Sequence, residues 1–210
     1  MQWDIKTGKR KRLYLSNHCT LLLAVGLNVF LMFTCSRTKT VSNNSVKLRS
    51  QYASMSILDV RKMVLQMNFF DKYWNDSGGF ENRFELTNKR NNVVIDHATN
   101  LIWHQSGSED FMNVSEAAEW IKILNQNEYA GINTWRLPTL EETLSLLENT
   151  KMNKNLYIDP IFDNWQWCIL TGDRLTNNQN WLVAFSGRID WFDSNVRVNY
   201  VRPVSSMVIN

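Results

Sequence analysis

Apolar positions change spacing in blocks along the chain, and each block predicts a different element. Residues 13–36, LYLSNHCTLLLAVGLNVFLMFTCS, are mostly apolar and hold no Asp, Glu, Lys or Arg. At ~1.5 Å per residue a helix of this length crosses a bilayer core of ~30 Å. The block therefore predicts one membrane span, weakened by Ser16, Asn17, His18 and Asn28. Residues 37–55 turn to Ser, Thr, Asn, Lys and Arg without an apolar period and read as a flexible spacer. A helix start comes next at Ser56, with Leu58, Val60, Met63, Val64 and Met67 as a short apolar stripe. The aromatic group Phe69, Phe70, Tyr73, Trp74 and Phe80 completes a lead-in over 56–91 and is expected to pack on the domain C-terminal to it.

From residue 92 the spacing is that of a folded domain. Val93, Val94 and Ile95, a turn through Asn100, then Leu101, Ile102 and Trp103 make a hairpin pattern, with Asn100 suited to a left-handed turn position. Asn113 with Glu116 three residues later caps a helix whose apolar face is Ala117, Trp120, Ile121 and Leu124. Thr139 and Glu142 form a second capping box, ahead of Leu140, Leu144 and Leu147. Beyond residue 164 only strand patterns occur: QWCILT, NWLVAFS, RIDWFD and RVNYVRP, separated by Gly and Asn turns. Two helices followed by an antiparallel β region define an α+β class.

Composition and charge sharpen this picture. Nine Trp, 6 Tyr and 10 Phe against 3 Pro and 8 Gly predict a core built from large rings. Residues 1–91 carry 15 Lys and Arg against 6 Asp and Glu, a balance of +9, whereas residues 92–210 carry 8 against 14, a balance of −6. An acidic domain argues against nucleic acid as its partner, because phosphate contacts need clustered Lys or Arg on the folded face. Lys6, Lys9, Arg10, Lys11 and Arg12 instead flank the apolar block, which by the positive-inside rule makes 1–12 a cytoplasmic tail and 13–36 a signal anchor. Signal-peptidase cleavage near Thr34 to Ser36 and lipoprotein processing at Cys35 are the alternatives, and all three leave the domain outside the cytoplasm. Of Cys19, Cys35 and Cys168, only the last lies in the domain, so no disulfide is available inside it. Its apolar surroundings read as those of a small buried hydrophobe.

The strings VIDHATNLIWHQSGS, AAEWIKILN, YAGINTWRLPTLEETLSLLE, IDPIF, WLVAFSGRIDW and VRPV, in this order, resemble the Lcl C-terminal-domain family. The resemblance covers about residues 92–204, and WRLPT followed by two acids is its most specific piece. It implies a fold similar to the C-type-lectin-like fold shared with formylglycine-generating enzymes, here a domain over 92–210 preceded by one transmembrane helix. The enzymes in that group depend on a cysteine pair that this domain lacks, so their activity is not implied. Lectin-like folds often bind calcium through hard oxygens, for which Asp159, Asp163, Asp173, Asp190, Asp193 and Asn195 are the loop candidates. Loop Asp and Asn are equally ordinary turn residues. Trp74-Asn75-Asp76 looks like a lectin calcium motif but lacks an accompanying Glu-Pro-Asn, so no cofactor or metal site is assigned.

Arg136 between Trp135 and Leu137 must be paired if it is desolvated, and Glu141 or Glu142 is the natural partner. Trp135, Arg136, Leu137, Pro138, Glu141 and Glu142 thus read as a packed strand-to-helix corner before they read as a ligand site. His18, His97 and His104 are the whole histidine complement, and no P-loop, GxGxxG, HExxH or CxxC occurs, so no catalytic residue is assigned and no enzyme is expected. His97 and His104, at a turn and a strand end, are expected to be solvated. The expected function is that of a membrane-anchored extracytoplasmic module recognising a glycan or a protein at the cell surface or in the periplasm. Its surface would be the β-rich end over 164–199, where Asn177, Asn178, Asn180 and Asn195 mix amides with the face of Trp191. The alternative is a structural or sensory accessory subunit of a membrane assembly without a small ligand.

Overall fold

Reciprocal caps begin each α-helix in the computed structural model, which describes residues 45–87 and 92–207. Ser56 and Asp59 cap α1 (Ile57–Gln66), Asn113 and Glu116 cap α2 (Val114–Gln126), and Thr139 and Glu142 cap α3 (Leu140–Leu144). In each, the cap side chain accepts from a backbone N–H three residues on and the acid reaches back to the cap's own N–H, satisfying donors the first turn leaves open. The tail at 1–12, the predicted anchor at 13–36 and residues 37–44 of the spacer lie outside the described residues. Among the described residues no helix is long and apolar enough to cross a membrane.

The predicted hairpin forms as β2 (Val93–Asp96) and β3 (Leu101–His104), with Asn100 in the left-handed region at φ 58°. Asp96 shapes the turn, accepting from the N–H of Ala98 at 2.9 Å and from Thr99 Oγ1 at 2.7 Å. β1 (Phe84–Thr87) flanks β2, and β7 (Val204–Ser206) flanks β3, giving an antiparallel sheet of order β1-β2-β3-β7. β4 (Cys168–Thr176), β5 (Gln179–Ala184) and β6 (Arg188–Asp193) form a second antiparallel sheet. The class is α+β. The pattern RVNYVRP does not form a strand: residues 197–203 make only isolated bridges, Met112 with Asn199 and Ile169 with Tyr200, and regular pairing resumes at Val204. The run mimics a strand because Tyr200, Val201 and Arg202 are all inside.

Alternation along β5 and β6 divides the core. Trp181 and Val183 face one cluster, with Val60, Met63 and Val64 of α1, Leu140 and Leu144 of α3, and Trp103 of β3. Leu182, Ala184 and Phe192 face another, with Ala117 and Ile121 of α2, Trp135 and Leu170. The three-stranded sheet is thus covered on both faces, which is why its strands read as apolar runs.

The core does not begin at residue 92. Leu48, Val60, Met63, Val64, Phe69 and Phe70 are buried in the first cluster, with Trp74 and Phe80 packed against it, while Tyr73 is exposed. The described end of the expected spacer, 45–55, is likewise built in. Arg49 pairs with Asp173, Ala53 accepts from the N–H of Arg174 at 2.9 Å, and Met55 donates to the carbonyl of Arg174 at 2.8 Å. Contacts within 45–210 make one compact unit.

Candidate functional site

The Trp-Arg-Leu-Pro corner leads from an isolated bridge, Arg136 with Val204, into the capped start of α3. Arg136 grips Glu142 with both guanidinium nitrogens, at 2.7 and 2.6 Å, in the fork geometry that favours arginine over lysine. Burial works against the Arg136 charge, but the Glu142 carboxylate more than offsets it, and the guanidinium is held above its ordinary pKa. Glu142 also receives the N–H of Thr139 at 2.9 Å, so one buried carboxylate closes both the ion pair and the cap. Glu141 turns instead to the N–H of Arg49 at 3.0 Å. Trp135 is buried, and its indole N–H donates to the carbonyl of Tyr129 at 3.0 Å. Leu137 and Pro138 are buried with it.

Asp173, a calcium candidate by sequence, lies inside the protein at the hub of that corner. It accepts from Arg49 at 2.8 and 2.6 Å and from the N–H groups of Ala53 and Leu140, both at 2.7 Å. Those donors leave it no vacancy for a cation. Asp159 accepts from the N–H of Ile161, Asp193 from that of Asn195, and Asp190 pairs with Arg188. Among the described residues no group of three or more His, Cys, Asp or Glu is placed to hold a metal ion.

Four of the five residues expected at the recognition surface are exposed on the second sheet or its turns. Trp191 is 42% exposed on β6, its ring edge-on to the buried Trp181 at 5.8 Å between centroids. Asn177 and Asn178 occupy the exposed β4–β5 turn, and the carbonyl of Asn178 accepts from Ser194 beside the exposed Asn195. Asn180 is the exception. At 1% exposure it is structural, donating to the carbonyls of Thr171 and Asp173 and accepting from Ser194 Oγ at 2.7 Å. It faces opposite to Trp191 because its cross-strand partner is Phe192, whereas Trp191 pairs with Trp181.

The chemistry-bearing side chains are otherwise withdrawn. His97 is exposed and 2.7 Å from Glu85, as expected of a turn imidazole. His104 is not solvated: it stacks on Tyr129 at 4.6 Å, and burial, then the charge of Arg202, depress its pKa to about 4. Cys168 is buried, and burial pushes its thiol up to about 11. Arg202 is wholly buried, and among the described residues no carboxylate bonds its guanidinium, which donates instead to the carbonyls of Gln105, His104 and Asp163 over the ring of Phe162. Its burial lowers its pKa to about 9. Sequence reasoning passed over this arginine; its only signal was a charge set between Val201 and Pro203 in an otherwise apolar run.

A model of the Lcl C-terminal domain matches residues 92–205, more than half of the chain. The chain belongs to the Lcl C-terminal domain family. The buried corner and Arg202 both fall inside the matched stretch, whereas Arg49 and α1 precede it. No curated protein and no solved structure matches the chain.

This Lcl C-terminal domain also carries a feature hidden from sequence. A cleft of about 300 Å³ opens beside α2, floored by Val114, Ala118, Ile121, Trp135 and Leu137. Tyr52, Arg136 and Arg174 stand at its polar side. Tyr52 lies against Gly172, whose missing Cβ leaves the space its ring fills, and its hydroxyl donates to the carbonyl of Leu137 at 3.1 Å. The residues converge from positions 52, 114–121, 135–137, 172–174 and 180, a separation no local pattern could announce.

Proposed function

We propose that this protein is a membrane-anchored, extracytoplasmic binding module on a C-type-lectin-like fold, recognising a glycan or a protein partner through Trp191 and the neighbouring amide-bearing turns. The observation that carries this reading is Trp191 itself. A large ring left 42% exposed on an edge strand and edge-on against Trp181, in a sheet whose turns carry the exposed Asn177, Asn178 and Asn195, offers an apolar face with directional donors and acceptors on the same sheet. Sugar rings and peptide side chains are both met by such pairs of a flat apolar platform and adjacent amides. Membership of the Lcl C-terminal domain family and the two antiparallel sheets support the fold assignment. The basic segment ahead of the apolar block supports the anchor and its orientation.

Binding is preferred to catalysis because the side chains that would do chemistry are tuned away from it. The Cys168 thiol is pushed up and buried, and the His104 imidazole is depressed and enclosed by rings. The test is Trp191→Ala in the full-length chain on a glycan array and in a cell-surface pulldown. Binding is expected to fall by roughly tenfold or more with an unchanged thermal melt. Intact binding by the folded variant would move recognition away from this face. Protease accessibility on intact cells tests the topology separately.

A further inference from the structure

The cleft beside α2 is a second site on a different face from Trp191. Register places Arg174, Asn180 and Phe192 on one face of the β4–β5–β6 sheet, and Trp181 and Trp191 on the other. The β4–β5 register shifts on both sides of Arg174. The polar groups at the cleft differ in what they have left to give. The Tyr52 hydroxyl is committed to Leu137, the Arg136 charge is cancelled by Glu142, and the Asn180 amide is bonded to Thr171, Asp173 and Ser194. Arg174 is exposed, and among the described residues its guanidinium has no carboxylate or carbonyl partner, only its backbone being bonded, to Ala53 and Met55.

We propose that this cleft binds a small carboxylic acid with an apolar body, the carboxylate on Arg174 and the body against Val114, Ala118, Ile121 and Trp135. One uncommitted guanidinium matches one carboxylate in charge and in fork geometry. A phosphate dianion would sit half-neutralised near Glu142, and a cation would be repelled by Arg174. About 300 Å³ of cleft is at the lower end for small-molecule sites, the size of a single ring with a short acidic arm. The apolar floor disfavours a polyhydroxylated body, which would surrender hydrogen bonds to water without replacement. Tyr52 comes from the segment that carries the chain into the domain, so an occupied cleft would brace that segment against α2.

Calorimetric titration of the full-length chain with indole-3-acetate and hexanoate, and with the neutral indole-3-acetamide and hexanamide, tests this. The acids are expected to bind about tenfold or more tightly than their amides. Arg174→Gln should reduce the acids to the level of the amides. Ala118→Phe, which fills the floor from an exposed position of α2, should remove both. Trp191→Ala should leave all four affinities unchanged, so that failure here and failure of glycan or protein recognition are read independently. No heat from either acid at millimolar concentration would overturn the proposal. So would an undiminished preference for acids in a folded Arg174→Gln variant, or loss of binding in Trp191→Ala.

Discussion

Burial holds His104 neutral, and the protein must carry a pH dependence as a result. The imidazole is ringed by Tyr129, Trp120 and Trp135, accepts the N–H of Gly107 on Nδ1 at 2.9 Å, and has the Arg202 charge nearby. Gly107 is itself fixed at φ 91° under the carbonyl of Val201, where a Cβ would not fit. In the unfolded chain the same imidazole protonates near 6.5, and in the fold only near 4. The unfolded state therefore binds the extra proton between those values, and stability rises with pH across that window. It is complete above about 6.5, declines as pH falls toward 4, and changes no further from this group below that. The gap corresponds to a change on the order of 3 kcal/mol. Urea unfolding midpoints measured from pH 7.5 to 4.5 should fall steadily in the wild type and much less in His104→Phe, which keeps the ring stack. Equal slopes would mean that His104 is solvated after all.

At the scale of elements, the decisive connection joins residues far apart in the chain. Asp173 binds Arg49, 124 positions earlier, along with the N–H groups of Ala53 and Leu140, so one carboxylate ties the 45–55 segment, β4 and the start of α3 together. Asp173→Ala would leave those donors without a partner, and the expected loss is about 3–5 kcal/mol, with new protease cleavage near residues 48–55. Asp190→Ala, which removes the exposed pair with Arg188 and an exposed hydrogen bond from the N–H of Trp191, should change stability by less than about 1 kcal/mol. Denaturant titration with mapped proteolysis separates the two cases. The same contrast explains what the sequence disclosed. Capping boxes, the Asn100 turn and the Arg136–Glu142 pair are written within six positions of each other and could be read directly. The role of 45–55 could not be, because it hangs on the single buried Leu48 and on an aspartate 124 positions away, and its polar composition looks like a spacer. Asn180 was misplaced for a related reason: an amide suits a sugar and a buried carbonyl equally, and only the register with Phe192 decides between them. Of the candidate surface, Trp191 and the turn asparagines follow from strand alternation, whereas the cleft beside α2 is a product of tertiary convergence.

For the whole molecule, the family match at 92–205 and the folding unit are different objects. A chain cut at residue 92 would lack Leu48, Val60, Met63, Val64, Phe69 and Phe70, all buried against Leu144, Trp181 and Phe185. Each such side chain is worth about 1.5–3 kcal/mol in burial, so their joint removal costs as much as the ~5–15 kcal/mol by which domains of this size are usually stable. The cut also strips Arg49 from Asp173 and β1 from the edge of β2, and removes Tyr52 from the cleft. Residues 92–210 expressed alone should therefore lack a cooperative thermal transition and bind a hydrophobic dye, whereas residues 45–210 should melt in one transition. Circular dichroism melts of the two fragments decide the matter. A cooperative melt from 92–210 would show that α1 and the 45–55 segment decorate a self-sufficient core, and would require the buried contacts of Val60, Val64 and Phe69 to contribute far less than their area implies.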